Sequence, residues 1–388
     1  MKVTISDSVR YIGADDLTLD LFEGQYILPE GVSYNSYLIL DEKVAVLDTI
    51  DARCTQEWEE NLAAELQGRT PDYLVVSHLE PDHAANLNAM MLKYPALTAV
   101  CTAVAKRMMP QFCPDFAQYQ DRVSTVGEGD TLCLGKHTLH FIMASMIHWP
   151  EVMMCYEESE KILFSADAFG KFGALCNYDG DWACEARRYY FNIVGKYGAQ
   201  VQTLLNKAAD LEIAKICPLH GPILDDDLDF YLGLYTTWSA YEPETEGVFI
   251  AYCSMHGNTA EAAQLLAEEI KAAKPGTKVS IADLARTDMA EDVEDAFRYG
   301  RIVFAAPTYD GGIMPVMNDF LHHLAAKTYR NRRVGIIENG SWAPMAGKKI
   351  KELLGTLQGI TFVEPVVTIK STLNAASRAA IAALAKEI

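Results

Sequence analysis

The sequence has no run of about 20 apolar residues, the length a membrane helix needs, and its start, Met1-Lys2-Val3-Thr4-Ile5-Ser6, lacks the apolar centre of a secretory signal. Both absences lead us to expect a cytoplasmic chain that stays off the membrane. Cations are scarce as well: 33 Lys and Arg stand against 53 Asp and Glu, a formal charge of −20. Phosphate backbones and anionic lipid surfaces would be repelled over a Debye length of about 10 Å. Nucleic acid is therefore excluded as a partner, whereas a basic protein or a small neutral substrate such as a dissolved gas meets no such barrier. The nine cysteines are scattered, with no Cys-x-x-Cys pair and an odd total. That usage suits reduced thiols and excludes an iron–sulfur site within the chain. A nicotinamide-binding fingerprint is missing too, so electrons from that source would need another carrier.

What is present points to two domains, because 388 residues exceed what one hydrophobic core usually spans. From Tyr37 to about Gly170 short apolar strands end in polar loops: residues 37–40, 44–48, 73–77, 137–143 and 162–165, the first two reading as a hairpin. Helical stretches over residues 55–67 and 82–93 give a layered α/β arrangement. The acidic stretch from Tyr241 to Gly247, with Pro243, separates two differently patterned regions, and we expect domains at 1–246 and 247–388. In the second, apolar strands at 248–252, 278–282, 302–306, 334–338 and 362–369 alternate with helical stretches such as 260–273, the pattern of a doubly wound parallel sheet with its ligand at the carboxyl ends of the strands.

The segment Ser77-His78-Leu79-Glu80-Pro81-Asp82-His83 directly follows a strand and packs two imidazoles and two carboxylates into six positions. Such crowding is costly without cations to coordinate. His148, Asp167 and His220 add three further ligand-type side chains in strand-end loops. Seven nitrogen and oxygen donors, none of them sulfur, are too many for one ion and fit two close metals with Asp167 bridging. His137, His140, His322 and His323 lack ligand-type neighbours and read as surface or packing residues.

A strand-end loop of this kind, followed by His, Asp and His in that order, resembles the metallo-β-lactamase superfamily. Glu80 stands where most hydrolases of that group carry a second histidine, and this substitution resembles the flavodiiron branch, which binds iron in place of zinc. A hard anionic oxygen stabilises ferric iron, while zinc hydrolases use an open site lined mainly by neutral imidazoles. The resemblance implies His78, Glu80 and His148 on one iron, Asp82, His83 and His220 on the other, Asp167 between them, and Tyr197 near the pocket as a catalytic residue. It implies an N-terminal metallo-β-lactamase-like αββα sandwich.

In the second domain, Ser254-Met255-His256-Gly257-Asn258-Thr259 opens onto a helix, where backbone N–H groups, two hydroxyls and a glycine can cradle a phosphate monoester. No lysine follows the glycine, which excludes a Walker-type nucleotide loop. The loops Pro307-Thr308-Tyr309-Asp310-Gly311-Gly312 and Asn339-Gly340-Ser341-Trp342-Ala343 close the next two strands and supply aromatic faces at the same sheet edge. Together the three loops resemble those of flavodoxin, which implies a flavodoxin-like doubly wound parallel sheet binding FMN.

Two unrelated motif sets in this order make nearly the whole chain resemble a two-domain flavodiiron protein. That family's properties imply electrons entering at FMN and passing to two irons, where O2 is reduced to water or NO to N2O, for detoxification of either gas. They imply rubredoxin or another small redox protein as donor, and a head-to-tail homodimer or dimer of dimers in which the FMN of one subunit serves the irons of the other. The competing expectation is a dinuclear zinc hydrolase with a flavodoxin-like module. A pure electron carrier would leave the ligand density without a role.

Overall fold

Tyr37–Leu40 and Val44–Leu47 form the expected hairpin, antiparallel with Tyr37 opposite Leu47, and every residue of the second strand is buried. In the computed structural model, which describes residues 5–388, this hairpin seeds a six-stranded sheet. Its order is Val9–Tyr11, Tyr37–Leu40, Val44–Leu47, Tyr73–Val75, Thr98–Thr102 and Val123–Val126. A five-stranded sheet follows: Thr131–Cys133, Thr138–Met143, Met153–Glu157, Ile162–Phe164 and Lys215–Cys217. One apolar core joins the two sheets, with Tyr37, Ile39, Leu47 and Val75 from the first packed with Phe141, Met153, Cys155 and Phe164 from the second. Helices such as Thr55–Leu66 bury one stripe, Trp58, Leu62 and Leu66, which is the geometry a sheet-covering helix needs.

The chain forms two compact units, one made of residues 1–190 and 199–235 and the other of residues 191–198 and 236–388. The boundary expected after residue 246 falls inside the strand Thr245–Tyr252, and residues 236–244 pack with the second unit. That unit holds a parallel sheet in the order Lys278–Asp283, Thr245–Tyr252, Tyr299–Tyr309, Arg333–Asn339, then Thr361–Phe362 and Val367–Ile369. This is the doubly wound order whose ligand crevice lies outside the carboxyl ends of the paired first and third strands. The fifth strand, expected as one piece over 362–369, is broken in two. Pro365 has no N–H for the ladder, and the Val366 N–H turns instead to the Glu364 carboxylate at 3.0 Å.

The helix expected over 82–93 is likewise divided, into Pro81–Ala84 and Leu87–Lys93. Asn86 sits at the break, its side-chain amide donating to the Ile50 carbonyl at 2.8 Å. Among the described residues no helix is long and apolar enough to cross a membrane.

Candidate metal centre and flavin crevice

Each acid and imidazole of the first unit's site leaves the carboxyl end of a strand. His78, Glu80, Asp82 and His83 follow Tyr73–Val75; His148 lies between Thr138–Met143 and Met153–Glu157; Asp167 follows Ile162–Phe164; His220 follows Lys215–Cys217. Backbone hydrogen bonds lock these loops to one another. Met153 N–H donates to the Ser77 carbonyl at 3.1 Å, Leu219 N–H to Ala166 at 2.9 Å, and Thr49 holds the His83 carbonyl at 2.8 Å.

The result is two groups, His78, Glu80, His148 and Asp167 in one, Asp82, His83 and His220 in the other, the donor atoms within each lying no more than 4.8 Å apart. Asp167 faces both. Its Oδ2 is 3.2 Å from His78 Nε2 and 3.2 Å from His148 Nε2, while its Oδ1 is 3.2 Å from His83 Nε2 and 3.7 Å from His220 Nε2. Glu80 completes the first group at 3.1 Å from His148 Nε2, and Asp82 the second at 3.3 Å from His220 Nε2.

Both Asp167 oxygens, both Asp82 oxygens and the Nε2 atoms of His83, His148 and His220 are buried without a hydrogen-bond partner. Leaving that many polar atoms unsatisfied would cost several kcal/mol in an apolar interior, on the order of 1–3 kcal/mol each, so the donor set fits two cations. The electrostatics agree. Burial works against charge on His148, but the Asp167 and Glu80 carboxylates outweigh it and push the imidazole up to about 9. Asp167 is likewise buried, and the surrounding histidines hold it well below the usual carboxylate range. This pocket retains carboxylate charge and attracts positive charge.

Partners outside the two groups aim the imidazoles. His78 Nδ1 lies 2.8 Å from Glu151 Oε1, a buried carboxylate that also accepts the Leu79 N–H at 3.0 Å. His220 Nδ1 lies 2.7 Å from the Ser33 carbonyl, so Nδ1 carries the proton and Nε2 keeps a lone pair for a metal. Asp48, which burial pushes up to about 6, accepts the Ser77 N–H at 2.7 Å and the Ser77 hydroxyl, fixing the turn that presents His78.

Sequence reasoning missed Glu151, Asp48 and Ser33. Asp48 left a signal, an acid closing an otherwise apolar strand; Glu151 and Ser33 left none. Tyr197 lies in Gly195–Tyr197, a helical turn of the segment that packs with the second unit, half-buried with Lys196 Nζ 5.9 Å from its ring centroid. Within the first unit the tyrosines beside the site are Tyr34 and Tyr189, whose rings lie 5.9 and 5.6 Å from that of His220.

In the second unit, the three expected loops line one crevice of about 330 Å³. Ser254, Met255, His256, Asn258 and Thr259 come from the first loop, Pro307, Thr308, Asp310 and Gly311 from the second, and Asn339, Gly340, Ser341, Trp342 and Ala343 from the third. Gly257, Tyr309 and Gly312 stand outside the lining, while Met345 and Ser371, unforeseen, are part of it. Gly257 has φ +91° at the start of the helix Asn258–Ala273, and its N–H donates to Ser254 Oγ at 3.0 Å. A Cβ there would meet nothing within 4 Å, so the glycine serves backbone conformation. Thr308 Oγ1 accepts the N–H groups of Met345 and Ala346 at 2.8 and 3.1 Å, tying the second loop to the third. Helix-start amides and hydroxyls beside aromatic rims fit a flavin mononucleotide.

Residues 32–221 match the family model described as ODP family beta lactamase, and residues 249–384 match a flavodoxin domain. An anaerobic nitric oxide reductase flavorubredoxin of Pectobacterium atrosepticum is 30% identical over 355 residues, 88% of this chain and 68% of that one. The chain belongs to the flavodiiron family. Among solved flavodiiron structures, rubredoxin oxygen:oxidoreductase of Desulfovibrio gigas aligns with a TM-score of 0.91 at 28% identity, covering 100% of this chain and 98% of the other. The flavodiiron protein of Giardia intestinalis aligns at 0.89 and 25%, covering 100% and 95%. The family's two-part build thus coincides with the two units of the fold, a metallo-β-lactamase-like sandwich and a flavodoxin-like sheet.

Proposed function

We propose that this chain is an FMN- and diiron-dependent oxidoreductase that reduces O2 to water, NO to N2O, or both. One observation carries the conclusion: a single buried carboxylate, Asp167, offers one oxygen to each of two groups of imidazoles and acids. When bound, the flavin supplies electrons one at a time and the paired irons bind and reduce the gas.

The chain's own residues do the rest. His78, Glu80 and His148 would hold one iron, Asp82, His83 and His220 the other, with Asp167 between. Glu151 and the Ser33 carbonyl hold the Nδ1 atoms of His78 and His220, so that each Nε2 faces the metal groups. Burial of His78, His83, Asp167 and His220 excludes bulk water from the site. In the second unit, Ser254 to Thr259 would hold the phosphate, and the loops beginning at Pro307 and Asn339 would flank the ring system. Relatives named for their activity are reductases, which disfavours the zinc hydrolase.

A head-to-tail homodimer is supported by the rim of the flavin crevice, where Trp342 is 93% exposed and Met255 and Tyr309 are also bare. Rubredoxin or a similar small protein as donor is supported by the names of the relatives, and a cytoplasmic setting by nine free thiols. Iron, zinc and FMN analysis of the purified protein, followed by anaerobic oxidation of the reduced form with each gas, tests the function. Two irons and one FMN per chain with rapid oxidation by at least one gas is the expected result. Zinc alone with ester or amide cleavage would overturn it. Light scattering tests the dimer, and stopped-flow reduction by rubredoxin tests the donor.

A further inference from the structure

The flavin crevice has to hold a phosphate monoester, a group that carries about −1.5 to −2 charges at pH 7, in a chain whose own formal charge is −20. Among the described residues that line the crevice none is lysine or arginine, and Asp310 adds a carboxylate. Neutral donors supply part of the cradle. The helix Asn258–Ala273 begins in the first loop, where its first-turn N–H groups have no partner within the helix. The Ser254 hydroxyl oxygen accepts the Gly257 N–H at 3.0 Å, which leaves the hydroxyl proton for a ligand. None of these groups carries a full positive charge.

One lining side chain can supply it. His256 precedes Gly257 in the same loop, is exposed, and among the described residues makes no hydrogen bond or ion pair, so both ring nitrogens are open to a ligand. The other charges around the loop are committed elsewhere or lie outside the wall: Glu261, in the first turn of the helix, pairs with Arg378 at 2.7 Å, and Lys370, next to Ser371, is not in the lining. An undisturbed imidazole titrates near pH 6.5, at about 6.5, and a phosphate dianion beside one favours its charged form and strengthens the hydrogen bond between them. We propose that His256 binds the FMN phosphate as an imidazolium, the one cation of an otherwise uncharged phosphate loop, so that holding the flavin is linked to uptake of a proton. The proposal rests on the reading of this crevice as the FMN site. A neutral imidazole, a phosphate dianion and a proton from solvent give the bound ion pair, so affinity falls as pH rises from the imidazole's own range. Below about pH 6 the phosphate itself takes up a proton, which closes the window from the acid side.

Flavin fluorescence titrations of the full-length, iron-loaded protein after removal of its flavin test this, once with FMN and once with riboflavin, which lacks the phosphate. In the parent, FMN affinity is expected to fall about five-fold between pH 6.5 and 8.5, while riboflavin affinity stays flat. In His256→Gln the amide still donates a hydrogen bond but does not titrate, so FMN affinity should be flat, equal to the parent at pH 8.5 and about five-fold weaker at pH 6.5. His256→Arg is charged throughout and should bind FMN at pH 8.5 at least as tightly as the parent does at pH 6.5. Equal pH slopes for FMN in the parent and His256→Gln overturn the proposal, and so does a riboflavin slope equal to that for FMN. Because the two flavins are compared in the parent chain, a poorly folding variant leaves a test standing. Failure of the underlying reading looks different: the parent then binds neither flavin at any pH.

Discussion

Asp167 in the first unit and Asp292 in the second are both buried acids, 1% and 3% exposed, yet their surroundings drive them in opposite directions. Burial raises the pKa of each. Around Asp167 the charges of His78 and His83 override burial and hold the carboxyl well below its usual range. Around Asp292 a hydrogen bond from the Thr287 hydroxyl is the counterweight, the neighbours Asp295, Asp288 and Glu291 add to burial, and the carboxyl is pushed up to about 7. The first unit thus keeps its buried charge to bind cations, whereas the second tolerates a buried acid by letting it go neutral. The ligand sites differ in the same sense. The metal pocket is made of side chains aimed by other side chains; the flavin crevice relies on loop backbone and a glycine at positive φ.

Removing Asp167 is the strongest way to break the comparison. In Asp167→Ala both groups lose their shared oxygens, so iron content and gas reduction are expected to fall by more than about 100-fold, beyond the cost of losing an outer-sphere partner. FMN content should hold, since the crevice belongs to the other unit. Metal analysis and flavin absorbance on the same sample check both halves; loss of FMN with iron retained would reverse the assignment of the two sites.

Glu151→Ala asks whether aiming matters as much as ligation. His78 would lose the carboxylate that fixes its Nδ1, and the Leu79 N–H would lose its acceptor. A drop of about 10–100-fold in iron affinity is expected, read by competition with a chelator. An unchanged affinity would mean that the loop holds His78 without help.

Gly257→Ala probes the backbone-built side. The change adds no clash, so only the strain of an L-residue at φ +91° remains. That costs about 1–2 kcal/mol, which corresponds to roughly ten-fold weaker FMN binding. Flavin fluorescence titration measures it, and the iron site should not respond.

The metal pocket was legible from sequence to the extent that its residues cluster along the chain. His78 to His83 announce themselves in six positions, and His148, Asp167 and His220 gain meaning only beside them. Glu151 does not announce itself, because an acid that orients a histidine across a fold leaves no spacing to read. The crevice loops were visible because each closes an apolar strand, whereas Ser371 enters through Asn339, whose side chain accepts the Ser371 N–H at 2.9 Å, a contact with no sequence pattern. Elements failed where local chemistry outranked periodicity, as at Pro365 and Asn86. Residues 191–198 join the second unit far from its own stretch of chain, and no composition shift marks them.

Asp292→Asn gives the smallest effect and sharpens the contrast most directly. An acid whose folded pKa lies above its unfolded value takes up a proton on folding, so its contribution is favourable at low pH. The penalty for ionising it grows as pH rises from about 4, and is complete above about 7. The asparagine keeps an oxygen for the Thr287 hydroxyl and removes the ionisation, so the variant should be more stable than the parent at pH 8 and equal to it near pH 4. Denaturation midpoints of parent and variant across that range report the difference. A gain that is flat in pH would show that the buried acid remains charged, and that both units tolerate charge in the same way.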